Sequence, residues 1–125
     1  MESPDDRKYS ESHIWARADG ARVTLGITAY AADEMGDIIY LELPEVGAEL
    51  KAGEACGSIE SAKAIEDIIS PIDGKVIERN DEVIDAPEGV TEDAFGKGWL
   101  LVIEASDPSQ LDGLLSASEY EEKNT

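Results

Sequence analysis

Apolar and polar residues alternate along much of this chain with the two-residue period of half-buried strands, and glycines and prolines cut the runs into short pieces. The polar stretch 1–12 reads as loosely held, residues 1–8 above all, until Ile14 and Trp15 begin the core. Residues 22–26 alternate as a strand. Thr28 is placed to cap a short helix running to Met35, with Ala31 and Met35 on one face and Gly36 as its stop. The β-like run 37–43 then ends at Pro44, which has no N–H to give a central ladder.

Gly47, Gly53, Gly57 and Gly74 punctuate the middle third as tight turns do in a mainly β fold. Residues 56–59 and 65–69 read as the two strands of a hairpin, which leaves Glu60-Ser61-Ala62-Lys63-Ala64 around its turn and Lys63 projecting from the tip. A second turn at 70–74 leads into an alternating strand at 75–78. From 83 to 98 the periodicity is lost, which predicts a surface loop with one helical turn, followed by a buried strand at 99–103. Helices are predicted over 107–122. Asp107-Pro108-Ser109-Gln110 and then Ser116 with Glu119 have capping-box spacing, Leu111, Leu114 and Leu115 form an apolar face, and Tyr120 anchors the last turn.

Composition narrows the functional classes. The 125 residues suit one domain, and 42% hydrophobic with only 6% aromatic content predicts an aliphatic core. A net charge of −19 repels phosphate backbones and anionic lipid, so neither nucleic acid nor membrane is an expected partner. Acidic residues are spread from Glu2 to Glu122, as in a solvated coat, which is favoured over a patch made for one basic partner. A lone cysteine, Cys56, and an acidic start without the basic and apolar regions of a signal peptide predict a reducing bacterial or archaeal cytoplasm. No apolar run approaches the roughly 18 residues of a membrane span.

The candidate chemistry centres on Lys63. Passing an unstable group among several active sites needs a tethered carrier, and an exposed amine on two strands gives a mobile arm with a fixed base. A lysine at a turn is usually only a solubilising residue. What lifts this one above that background is its setting, with Gly53, Ile59-Glu60-Ser61-Ala62-Lys63-Ala64, Ser70-Pro71 and Gly74 placing turn residues on both sides. Elsewhere, His13 and Cys56 give no metal-site spacing, and no nucleophile and base, phosphate loop or basic patch is present. Cys56 reads as a small apolar side chain, His13 as a hydrogen-bonded structural residue, and Trp15 and Trp99 as core.

These residues resemble the lipoyl-attachment motif of the glycine-cleavage H-protein family. The likeness extends over Tyr9, His13, Trp15, Gly26-Ile27-Thr28, Gly36-Asp37, Leu43-Pro44-Glu45-Val46-Gly47, Gly98-Trp99-Leu100, Ser106-Asp107-Pro108-Ser109 and Glu119-Tyr120. It implies a barrel-sandwich hybrid like lipoyl and biotinyl domains, and a non-enzymatic, monomeric carrier with lipoic acid joined to Lys63 by a lipoate-protein ligase or lipoyl transferase. It also implies that Glu60 and Ser61 flank the attachment and that Ser12 and Asp67 belong to the cleft receiving the arm. Ala62 and Ala64 replace the methionines usual around a biotinylated lysine, and intact Glu60, Lys63 and Gly74 speak against an unlipoylated structural copy.

Three departures bear on cargo. Ile14 stands where the family has an acidic cleft residue that holds the ammonium of an aminomethyl group; Glu66 replaces a small hydroxyl residue; Thr91 and Ala94-Phe95 replace an Asn and a Pro-Tyr. An isoleucine cannot pair with an ammonium. Ile14 therefore favours the lipoate-binding branch that serves sulfur oxidation, with a heterodisulfide-reductase-like complex and sulfur transferases as partners. The alternative is the glycine cleavage H protein, carrying the aminomethyl group between glycine decarboxylase and aminomethyltransferase and reoxidised by dihydrolipoyl dehydrogenase.

Overall fold

Two antiparallel sheets pack as a sandwich in the computed structural model, which describes residues 4–124. Along the chain the strands are β1 (Lys8–Tyr9), β2 (Ile14–Asp19), β3 (Arg22–Ile27), β4 (Ile38–Glu42), β5 (Glu49–Leu50), β6 (Ala55–Ser61), β7 (Ile65–Ile69), β8 (Gly74–Arg79) and β9 (Leu101–Ala105). The larger sheet has the order β1-β2-β3-β9-β8-β5 and the smaller one β4-β6-β7. Val23, Leu25, Val76 and Ile103 from the first meet Leu41, Ile59 and Ile68 from the second in one aliphatic core, so alternation on each strand has become an inner and an outer face.

One pairing shows how strictly the register is set. Trp15 lies opposite Gly26, and a Cβ at Gly26 would run into the indole ring, so only glycine leaves room for the fully buried tryptophan. The indole N–H donates to the Ala94 carbonyl at 2.9 Å. Trp15, Tyr9, Ala117 and Tyr120 form a second, aromatic cluster, with Tyr30, Phe95, Trp99 and Leu115 packed against it.

That cluster holds both ends of the described chain. The looseness expected of 1–8 stops short of its end: Arg7 is buried with its guanidinium 4.6 Å from the Trp15 ring centre, and Lys8–Tyr9 pairs with β2. The first three residues of that expected segment lie outside the described residues. Helix α1 (Ala29–Met35) is capped by Thr28, whose Oγ1 accepts from the Ala31 N–H at 3.2 Å, and ends at Gly36 with φ +74°. Its buried residues are Ala32 and Met35, so Ala31 is displaced from the predicted core face to the helix's shoulder.

Where one helical turn was predicted in a surface loop over 83–98, there are two short helices, α2 (Asp81–Asp85) and α3 (Glu88–Glu92), which bury Val83 and Val90, and the main stretch of loop left is 93–98. Five-residue helices with one buried side chain each present no periodicity to read. The strand predicted from Trp99 starts at Leu101, because Trp99 turns into the aromatic cluster. Near the C-terminus, Pro108–Gly113 is a 3-10 helix. Asp107 Oδ1 accepts from the Ser109 N–H at 3.1 Å, but Gln110 bonds to Asp73 and does not close a box. The second box is complete: the Ser116 N–H donates to Glu119 Oε1 at 2.9 Å and the Glu119 N–H to Ser116 Oγ at 3.2 Å, starting α4 (Ala117–Lys123). No helix among the described residues is long and apolar enough to cross a membrane.

Candidate functional site

The hairpin of β6 and β7 turns at 61–64 and is built around one hydroxyl. Ser61 is buried; its Oγ accepts from the N–H groups of Lys63 and Ala64, each at 3.2 Å, and lies 3.2 Å from the Ala64 carbonyl, to which it can donate. The Ser61 N–H donates to the Ala64 carbonyl at 2.8 Å, and the Ala62 N–H reaches the Asp37 carbonyl at 3.3 Å. The tip is thereby tied to the chain just after Gly36. Lys63 is exposed, and its stem lies against Gly36, where an added Cβ would stand 3.7 Å from Lys63 Cε and 4.0 Å from Nζ. Glu60 stands one residue before the turn, paired with Tyr40 on one side and Ile65 on the other. Those two neighbours are 53% and 66% exposed, an apolar pair beside the lysine.

Residues of α1, up to Met35 beside Gly36, and of the strands line a cleft of about 330 Å³. Its floor is aliphatic, from Ile14, Ile27, Met35, Ile59 and Ile68. Its polar wall comprises Ser12, His13, Tyr30, Glu34, Glu66 and Asp67. Of the residues predicted from the sequence, Ser12 and Asp67 thus meet in the cleft, whereas Lys63, Glu60 and Ser61 make up the neighbouring tip. Tyr30 and Glu34 were missed. Their signal was present, since residues four apart in a capped helix share a face.

His13 sits at the cleft with φ +66°, a left-handed backbone uncommon outside glycine. Its Nδ1 is 2.6 Å from the Tyr120 hydroxyl, which is 2.7 Å from Thr28 Oγ1. Burial holds the His13 pKa below the usual imidazole value, against an opposite pull from Glu66 and Glu34. Burial also lifts the Cys56 thiol to about 11, and that thiol donates to the Ile68 carbonyl at 3.4 Å, so Cys56 is a packed, protonated side chain. Among the described residues no group of three or more His, Cys, Asp or Glu is arranged to hold a metal ion.

An exposed amine beside a cleft with an aliphatic floor and an acidic wall fits an acyl arm with a small polar load. The model of the family "Glycine cleavage H-protein" matches residues 7–125. The chain belongs to the glycine cleavage H-protein family. Its relatives include the glycine cleavage system H protein of Acaryochloris marina (strain MBIC 11017), 52% identical over 98% of this chain and 96% of the relative. That of Geobacillus sp. (strain WCH70) is 48% identical over 98% and 96% of the two chains. The crystal structure of a glycine cleavage system H protein from Mycobacterium marinum superposes with a TM-score of 0.91 at 36% identity, covering 98% of each chain. The fold is therefore the one that the resemblance implied, and the family's cofactor is a lipoyl group held covalently on a lysine. The preference for the sulfur-oxidation branch gains nothing from these relatives, all of which carry the glycine-cleavage name.

Proposed function

We propose that this H-family chain carries a lipoyl arm on Lys63 and moves an aminomethyl group from glycine decarboxylase to aminomethyltransferase, with dihydrolipoyl dehydrogenase restoring the arm. The observation that carries this reading is the exposed Lys63 on a pinned turn, its stem against Gly36, where α1 turns from the cleft. A ligase or lipoyl transferase joins lipoate to its amine, and the arm supplies a disulfide that is reduced to a dithiol. Every other part is the chain's own. Ser61 holds the turn, Glu60 with Tyr40 and Ile65 offers a partner surface beside the amine, and Ser12 and Asp67 face the arm in the cleft.

Ile14 removes one negative group from the cleft, yet Glu34, Glu66 and Asp67 line the same space. A cationic load therefore still finds carboxylates to pair with, and this favours an ammonium over an uncharged cargo. Ile14 itself supports a second reading, in which the arm carries sulfur for a heterodisulfide-reductase-like complex.

The test is made on protein produced with lipoate and a ligase. Intact mass rises by one lipoyl group and Lys63→Ala abolishes the rise; an unmodified wild type would overturn the carrier reading. The oxidised holoprotein, given glycine and glycine decarboxylase, gains the aminomethyl mass as carbon dioxide leaves and its disulfide takes the electron pair, one sulfur holding the aminomethyl group and the other becoming a thiol. Failure to gain it, with loading by a sulfur transferase instead, would transfer the conclusion to the second reading.

A further inference from the structure

The buried hydrogen bonds behind the cleft can be followed proton by proton. Thr28 is fully buried, and its Oγ1 already accepts from the Ala31 N–H at 3.2 Å. Its own hydroxyl proton has, among the described residues, one oxygen within hydrogen-bond reach, that of Tyr120 at 2.7 Å; were Thr28 to accept there as well, its buried proton would be left without a partner, so donation to Tyr120 is the direction that satisfies both hydroxyls. The Tyr120 oxygen, having accepted there, directs its proton to His13 Nδ1 at 2.6 Å. A nitrogen that accepts carries no proton, so the neutral imidazole bears its hydrogen on Nε2. That atom has no hydrogen-bond partner among the described residues, and no side-chain nitrogen or oxygen among them is both buried and unpartnered. Nε2 is therefore reachable, on a residue that lines the cleft.

The three carboxylates in the wall, ionised, only accept, while the hydroxyls of Ser12 and Tyr30 can rotate between donating and accepting. His13 differs from all of them in having, through its bond to Tyr120, a donor fixed in identity. We propose that His13 Nε2–H binds an acceptor atom of the lipoyl arm when the arm lies in the cleft, and that Tyr120 on α4 is the positioning residue that locks His13 in the required tautomer. This inference rests on the lipoyl-carrier reading. The acceptor is the amide oxygen of the arm or a sulfur at its end, which share the same chemistry toward an N–H. The C-terminal helix thereby sets the polarity of a cleft that it does not line.

His13 is the chain's single histidine, so its nitrogens can be read without ambiguity in protein labelled with ¹⁵N-histidine. Long-range ¹⁵N–¹H correlation of the unmodified protein should show the Nε2–H tautomer. Tyr120→Phe should give mixed tautomers and raise the titration midpoint of His13 by roughly half a unit. Thr28→Val should loosen the lock in the same way, and Thr28→Ser should preserve it, so the result does not depend on one variant folding. In lipoylated protein, a shift of Nε2–H that is the same in both redox states assigns the amide oxygen, and one that changes on reduction assigns sulfur; Tyr120→Phe should lose either shift while retaining the lipoyl mass. An Nδ1–H tautomer in the wild type, or a silent His13 in both redox states of protein proven lipoylated by mass, overturns the proposal. If the mass shows no lipoyl group, the carrier reading fails and takes the arm contact with it, while the tautomer lock is decided by the unmodified protein.

Discussion

The aliphatic core between the sheets and the aromatic cluster at their end are both buried, but they do different work. The first is held by shape alone, with Val23, Leu25, Val76 and Ile103 meeting the small sheet without a polar atom from their side chains. The second is threaded with hydrogen bonds. Trp15 bonds the Ala94 carbonyl, Arg7 donates to the Phe95 carbonyl at 2.9 Å, and Tyr120 joins His13 to Thr28. An apolar core fixes where the cleft lies; a hydrogen-bonded one can also fix which atoms in it donate and which accept.

This contrast can be broken from either side. Trp15→Ala empties the largest buried site and takes from Arg7 the nearer of its two rings, so denaturant unfolding should show a loss of about 3–5 kcal/mol, with the His13 resonances displaced as well. Ile103→Ala, buried on the other side, should cost about 2–4 kcal/mol and leave the His13 tautomer unchanged. If the aliphatic variant moved His13 as much as the aromatic one, the two regions would not be separable. Ser116→Ala opens the capping box of α4 and should cost about 1 kcal/mol, with the aromatic cluster loosened but not lost.

The smallest effect expected is a dependence on pH. Because burial lowers the His13 pKa in the folded protein, the unfolded chain takes up the proton first as pH falls. Stability should therefore decline from about pH 6.5 downward and level off below the folded value. His13→Asn, which suits the left-handed backbone there, should remove that decline. Asp6, Asp73 and Glu119 have carboxyls held below their usual values by hydrogen bonds to Arg7, the Ala52 N–H and the Ser116 N–H, respectively. They lose their contribution only in a more acidic window, below their ordinary values of 3.8 to 4.5, so the two declines can be told apart.

What the chain discloses before folding follows the range of the forces involved. Strands at 22–27, 65–69 and 74–79 were legible because local alternation and turn residues determine them. Lys63 was legible as a tip for the same reason. The burial of Arg7 was not, since a charged side chain beside Asp6 reads as a solvated pair, and the Trp15 ring and the Phe95 carbonyl that cover it are distant in sequence. Helices α2 and α3 were hidden because each is anchored by one valine and no period. In the cleft, Ser12 and Asp67 were legible by resemblance, whereas for Glu34 the spacing showed only that it shares a face of α1 with Tyr30, and packing decides that this face meets the cleft.

The small sheet has β4 and β7 as its outer strands, and exposed Ile39 and Ile65 stand on them. Outer strands carrying apolar side chains invite a second copy to add on edge to edge. Here Glu42 lies on one such strand and Glu66 with Asp67 on the other, so two molecules approaching along either margin meet like charge before their backbones can pair. On the proposed reading, in which Tyr40 and Ile65 beside the lysine meet partner enzymes, this acid would oppose pairing of the same margins with a second copy of the chain.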